Sequence, residues 1–363
     1  MPTVPPKSFE HNPIFTVSAF LGLFPFEKGP TFGLDKLLFV YSFVFAAAVT
    51  LIGGLSMLDD LTPLLTESYN QAIILAYIGG LILVFPCSLT CAFLKRDVLQ
   101  QTFRALKEIQ STFEKIRLSK FNKLTHLLPL FDISVPLLCT LLTYVTNSNI
   151  PGTAYGTFNG LTLMGMALIC GQLSFLVDLI GDIFDAGIDF LNEMKLSLII
   201  KRHSKRISEL VKATNKLGSA SCSLNEVYSD QILVMMSLCF CGFSIHLYYI
   251  SMLASLPDGF KFDLLLPQVY SVLFYCYVSW RVNQSSAETS GKNKLRLHIS
   301  MKREVVFTAC GFFNLDYTLV HSMIASATTY LVILIQFGKP ETVDQQPPAS
   351  TAMTNFTTSQ LYL

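Results

Sequence analysis

The chain has 363 residues, 51% of them hydrophobic and only 14% charged, against roughly 25% charged in an ordinary soluble protein. With a mean hydropathy of +0.49, too few polar residues remain to cover a soluble surface. That excludes a soluble enzyme, a disordered chain and a secreted disulfide scaffold, and the net charge of +1 gives no pointer to nucleic acid.

The reading that fits is an all-α polytopic membrane protein, because a hydrocarbon core of about 30 Å demands apolar runs of about 20 residues. Residues 1–12 are proline-rich and contain no basic region leading into an apolar one, so no signal peptide is expected. The apolar piece 14–26 lies between Pro13 and Lys28 and is too short to cross, so it reads as a re-entrant or interfacial helix. Tracts 37–58, 71–94, 154–177, 231–257, 264–280 and 317–338 contain no Asp, Glu, Lys or Arg. Tract 124–146 carries one acid, Asp132, and completes a set of seven spans. The apolar stretch 305–315 is about 16 Å long as a helix and cannot span.

Charge orients these spans. The N-terminal segment holds 3 Lys and Arg (Lys7, Lys28, Lys36), and the connection from Lys95 to Lys123 holds 8. The segments Lys195 to Lys216 and Arg281 to Arg303 hold 7 and 6, leaving only Lys261 and Lys339 for the opposite side. Positive charge marks the cytoplasmic face. The expected layout is a cytoplasmic N-terminal segment over 1–36, a membrane domain over 37–338 and an extracellular tail over 339–363. This orientation is opposite to that of G-protein-coupled receptors. The outer loops 59–70, 147–153 and 258–263 are short, so a ligand arriving from outside has to bind between helices. Segments 96–123 and 195–226 carry apolar residues at helical spacing and read as cytoplasmic helical extensions.

Chemistry-bearing motifs are scarce. Seven of the nine cysteines fall in spans, Cys310 in the short apolar stretch and Cys222 in a cytoplasmic segment, so no disulfide framework is expected. No Walker loop, nucleophile elbow, His-Glu-x-x-His or dinucleotide fingerprint occurs. No catalytic residue, metal ligand or cofactor is therefore expected, and no inverted repeat supports a transporter.

Intramembrane polar residues carry more information, because they are costly unless they serve a site or a pathway. Placed by depth, Thr140, Tyr144, Asn159, His246, Tyr248, Tyr249, Gln268 and Tyr270 all fall in the outer half. Such a mix of rings, amides and hydroxyls suits a pocket for a small polar ligand. The alternative is an interfacial tyrosine belt with the remaining groups paired between helices. Asp178, Asp182, Asp185, Asp189 and Glu193 share one helical face. They read either as an acidic stripe near a pore exit or as partners for the nearby Lys and Arg. Asp132 reads as a paired structural acid.

The last tract ends Thr329-Tyr330-Leu331-Val332-Ile333-Leu334-Ile335-Gln336-Phe337. It resembles the C-terminal signature of insect gustatory receptors: Thr-Tyr, five hydrophobics, Gln-Phe. The preceding Phe307-Thr308-Ala309-Cys310-Gly311-Phe312-Phe313-Asn314-Leu315-Asp316 is similar to that family's approach to its final helix. The resemblance implies a tastant-gated, non-selective cation channel in the plasma membrane of taste neurons, assembled as a homo- or heterotetramer. Its partners would be a small-molecule tastant, permeating cations, membrane lipid and other gustatory receptors. It further implies that 305–315 is a helix of the cytoplasmic anchor, and that 317–337 lines the pore with Tyr330, Val332, Ile333, Gln336 and Phe337. Gln336 reads as a neutral amide near the outer gate or, alternatively, as an amide solvated at the membrane edge.

Leu331 stands where the sugar clade usually has Glu, which points to a fructose-receptor-like or bitter-type branch. A non-conducting partner subunit and an odorant-receptor-like protein are the competing readings. Two glycosylation sequons test sidedness: Asn355-Phe356-Thr357 is expected outside and modified, and Asn283-Gln284-Ser285 inside and unmodified.

Overall fold

A computed structural model describes residues 12–24, 36–61, 71–115, 134, 137–138, 153–196, 204–254, 262–297 and 306–337. Most of span three with Asp132, Thr140 and Tyr144, most of the expected outer loops and the tail with Asn355 lie outside the described residues. Helices dominate, because backbone polar groups surrounded by apolar side chains must be satisfied within their own segment. In chain order they are α1 (Pro13–Phe20), α2 (Lys36–Leu61), α3 (Gln71–Leu94), α4 (Arg96–Lys115), α5 (Thr153–Leu196), α6 (Ser204–Ala254), α7 (Phe262–Leu297) and α8 (Tyr317–Phe337).

Among the described residues, four helical stretches are long and apolar enough to cross a membrane: Lys36–Leu55, Tyr77–Leu94, Phe158–Asp189 and Val211–Ala254. Tyr317–Ile333 is a shorter apolar helix. The tract 264–280 does form helix, as the start of α7. Pro267, Gln268, three tyrosines and Trp280 make it less apolar than the others.

Of the expected helical extensions, 96–115 forms α4, 195–196 closes α5 and 204–226 opens α6, while 116–123 and 197–203 lie outside the described residues. α5 runs 44 residues without a break and α6 runs 51, so each carries its apolar span and its polar extension on one rigid rod. α4 buries Leu99, Phe103, Leu106 and Ile109 at helical spacing against α6, and Lys216 pairs with Glu108 across that contact. α5 occupies the centre, with α1, α2, α3, α6 and α7 packed around it. α1 starts at Asn12, whose side-chain Oδ1 accepts from Ile14 N–H at 3.0 Å while Pro13 fills the first turn. Phe15 of α1 then meets Phe24 at 5.0 Å and both Phe103 of α4 and Phe175 of α5 at 5.9 Å. The short N-terminal helix is thus wedged into the bundle by its aromatic face.

The stretch 305–315, expected as a helix, is instead a two-stranded antiparallel hairpin in its described part. Strands β1 (Thr308–Ala309) and β2 (Phe313–Asn314) pair Thr308 with Asn314 and Ala309 with Phe313. Cys310 and Gly311 adopt φ of 52° and 74° at its tip, a left-handed pair that no helix accommodates. Phe307, Ala309 and Leu315 are buried, so the hydrophobicity that suggested a helix serves a strand pair packed on α6. Asp316 Oδ1 then caps α8, accepting from Thr318 N–H at 2.9 Å.

Candidate functional site

Two polar regions stand at opposite ends of the bundle. The first, the Gln268 end, joins α3, α6 and α7. His246 Nδ1 and Gln268 Oε1 are 2.5 Å apart. With the amide oxygen facing the ring, Nδ1 donates. The imidazole stacks on Tyr275, with centroids at 5.8 Å and planes at 24°, and meets Tyr77 edge-on at 6.3 Å and 89°. The hydroxyls of Tyr77 and Tyr275 bond each other.

Gly242, one turn before His246 on α6, permits this packing. A Cβ there would fall 2.5 Å from Tyr275 Cζ and 2.9 Å from its hydroxyl. Among the described residues the imidazole is therefore held by one hydrogen bond and two aromatic contacts, and its Nε2 is buried with no hydrogen-bond partner there. An unpaired buried acceptor costs about 1–3 kcal/mol.

Of the residues expected in an outer-half pocket, the structure brings His246 and Gln268 into direct contact. Asn159 on α5 is buried, and its Oδ1 likewise has no partner among the described residues. Gly165 lies against Phe85, and α3 and α5 run the same way, so Asn159 is near the level of Tyr77. Tyr249 and Tyr270 are half-buried and pack on the core. Tyr77, Tyr275 and Gly242 escaped the sequence reading. Tyr77 was findable, since it lies in the first third of the uncharged tract 71–94, at the depth expected for the others. Nothing in the sequence marks Gly242 or Tyr275, because their role exists only in the contact between α6 and α7.

The second region, the Arg281 end, joins α5 and α7. Arg281 was counted as a loop cation, yet its side chain is only 4% exposed, and it donates to Asp178 Oδ2 at 2.6 Å. Ser285 bonds the same guanidinium, and Thr289 Oγ1 donates to the Val177 carbonyl at 3.1 Å. The first acid of the stripe is thus an ion-pair partner. Gln172 Nε2, Ser174 Oγ, Asn283 Oδ1 and Ser286 Oγ are buried on these two helices without partners among the described residues, while Tyr228 of α6 donates to Gln172 Oε1 at 3.1 Å. Asn283 is fully buried and its amide donates to the Ser279 carbonyl at 2.7 Å. An oligosaccharide cannot reach it on either side of a membrane, so lack of modification at Asn283 does not report sidedness.

The hairpin before α8 is fastened near the same end. Asn225 of α6 accepts from Thr308 N–H at 2.8 Å, and Cys310 Sγ donates to Asp230 Oδ1 at 2.9 Å. Lys95 pairs with Asp230 Oδ2 at 2.5 Å and donates to the Glu226 carbonyl at 2.6 Å. Burial first, and then the bond to the Asp230 carboxylate, push the Cys310 thiol up. α8 itself rests only on α6 and α7 among the described helices in close contact. From Tyr317 to Ile333, Ala327 alone is buried. Tyr330 is half-buried, whereas Val332, Ile333 and Gln336 are exposed; the Phe337 side chain lies outside the described residues.

A family model described as "7tm Chemosensory receptor" matches residues 11–292 and 281–340. The chain belongs to this 7tm chemosensory receptor family. The receptor is similar to the "Gustatory receptor for bitter taste 66a" of Drosophila melanogaster, at 28% identity over 161 residues, 37% of this chain and 31% of that one. It is also similar to "Gustatory and pheromone receptor 32a" of the same fly, at 47% over 49 residues, 14% of this chain and 11% of that one. The matched stretches therefore span about a third or less of those relatives.

The fold of the receptor resembles the insect olfactory receptor OR5 from Machilis hrabei in complex with eugenol. The TM-score is 0.59 at 12% identity, over 90% of this chain and 97% of that one. The C-terminal reading as a gustatory-type chemoreceptor is borne out, and the receptor is a mostly helical, multi-pass membrane protein.

Proposed function

We propose that the receptor is a tastant-gated, non-selective cation channel of the plasma membrane, with a cytoplasmic N-terminus, that works as a tetramer. The observation that carries this reading is the contrast between α5 and α8. Most residues of the Phe158–Asp189 stretch of α5 are buried within one chain, whereas α8 leaves Ile324, Val332 and Ile333 exposed at 45%, 48% and 41%. A helix that carries the gustatory signature and is so little covered by its own chain is suited to face other subunits and a central conduit. Gln336, at the far end of α8, is a neutral amide that can bond partly dehydrated cations beside aliphatic residues offering a dewetting barrier. The Gln268 end, with His246, Gln268, Asn159, Tyr249 and Tyr270, is the tastant site in this reading, with Thr140 and Tyr144 as further candidates. Asn355 is the glycan acceptor.

The deciding experiment is patch recording from cells expressing this chain alone, challenged with sugars and bitter compounds. Steady current in excised patches without GTP is expected. Gln336→Ala is expected to reach the membrane with altered conductance, cation preference or basal opening. Tastant uptake without current would replace the channel with a transporter. Current only on co-expression with a second receptor would make this chain a partner subunit.

A further inference from the structure

At the Gln268 end, the atoms on the imidazole divide cleanly. Gln268 Oε1 can only accept, so the 2.5 Å contact requires a proton on His246 Nδ1. A second proton on Nε2 would make a buried cation, and none of Tyr77, Gly242, Tyr249, Gln268 and Tyr275 carries a charge to balance it. Nε2 is therefore a lone-pair acceptor, buried and without a partner among the described residues. Its aim is fixed, because Gln268 holds one side of the ring, Tyr275 stacks on its face and Tyr77 closes on it edge-on. Asn159 Oδ1, the other buried unpaired atom of the expected pocket, is an acceptor too.

We propose that His246 is the recognition residue for an uncharged aromatic ligand carrying a hydroxyl or N–H donor, whose proton Nε2 accepts. The inference rests on the Gln268 end being the tastant site. Three features of the cluster select this class. With no charged side chain in it, a carboxylate or ammonium ligand would lose its hydration without gaining a counter-charge. Its two buried polar atoms without a partner among the described residues, His246 Nε2 and Asn159 Oδ1, are both acceptors, so a ligand with one donor is matched. A sugar would bring many hydroxyls and leave most of them unpaired. The walls are tyrosine rings, which favour a flat π-surface.

The test uses the full receptor, purified in lipid nanodiscs, and two probes that differ only in the donor: para-ethylphenol and its methyl ether, para-ethylanisole. Binding is read as the ligand-dependent rise in melting temperature. Wild type is expected to bind the phenol about tenfold more tightly than the ether. In His246→Phe the two should bind within about twofold of each other, with the ether no weaker than in wild type. His246→Gln, which restores an acceptor, should recover part of the preference.

Gln268→Leu provides a second route if His246→Phe fails to fold, because losing the Nδ1 partner frees the tautomer and should shrink the preference. Equal binding of phenol and ether to wild type overturns the proposal. So does a phenol preference that survives in folded His246→Phe, or in Gln268→Leu where His246→Phe does not fold, and so does the absence of any phenol-dependent shift. Since binding is read without current, phenol selectivity in a protein that never conducts would sink the channel reading and leave His246 in place. Tastant-gated current in a protein without phenol selectivity would do the reverse.

Discussion

The two ends of the bundle solve the same problem, polar groups between packed helices, with different chemistry. At the Arg281 end a full positive charge and a full negative charge are brought together 4% and 14% exposed, and the Thr289 hydroxyl ties the same two helices. At the Gln268 end the described residues bring no charge, only a neutral ring, an amide and tyrosine hydroxyls, with an acceptor left over. Separating a buried ion pair strands two charges, so the first arrangement resists helix movement. Separating the second costs a hydrogen bond and some stacking. The lesson is that the ionic end suits a lock and the uncharged end suits exchange of a guest.

That contrast can be broken most forcefully at Arg281. Arg281→Met leaves the Asp178 carboxylate buried without its partner and is expected to cost about 3–5 kcal/mol. Thermal unfolding of the detergent-solubilised receptor, followed by size-exclusion chromatography, would report it. The double variant Arg281→Met/Asp178→Leu should regain most of the loss, since it removes both charges. A single variant as stable as wild type would end the description of this end as a lock.

The uncharged end should yield smaller effects. Gly242→Ala drives a methyl group into the Tyr275 ring and is expected to cost about 1–3 kcal/mol by overpacking. It should also raise the tastant concentration needed for response. Gly54→Ala is the control, because the nearest atom to a Cβ there is Ile82 Cδ1 at 4.0 Å. Similar melting temperatures for the two alanine variants would mean that the approach of α6 to α7 is looser than described.

Smaller still is Gln268→Leu, which removes one neutral hydrogen bond of about 0.5–1.5 kcal/mol. Dose–response curves should move by about 2- to 12-fold with surface delivery unchanged. The smallest effect is chemical. The Cys310 thiol is exposed but pushed up by burial and by Asp230, so at neutral pH it holds less thiolate than an ordinary cysteine. Asp230→Asn removes the negative neighbour, lowers that pKa and should speed maleimide labelling of Cys310 by about 2- to 10-fold. The labelling profile should move toward lower pH. An unchanged profile would detach the hairpin tip from α6.

Legibility in the sequence varied with the kind of force involved. Absence of charge is a property of the chain alone, and α3 begins and ends at the bounds of its uncharged tract, Gln71 and Leu94. α8 starts at Tyr317 and stops one residue short of the tract's end. Residues 305–315 defeated the same logic. Hydrophobic content says that a segment is buried but not in which conformation, and the left-handed Cys310–Gly311 pair is visible only in the backbone. Arg281 defeated it differently, since a cation next to a span reads as loop until a carboxylate from another helix is seen to hold it inside.

By itself, the sequence determined that the chain lives in a membrane, where most of its long helices run, and through the Thr329–Phe337 tract which kind of receptor it resembles. Those are one-dimensional properties: hydropathy summed along a helix, and a short string of side chains. Only the tertiary structure decided that Gln268 aims His246, that Gly242 lets Tyr275 cover the ring, and that Asp178 is spent on Arg281. Each of these depends on which faces of separate helices meet and at what height. Helical periodicity fixes the faces of one rod but leaves the rotation and register of its neighbours to packing.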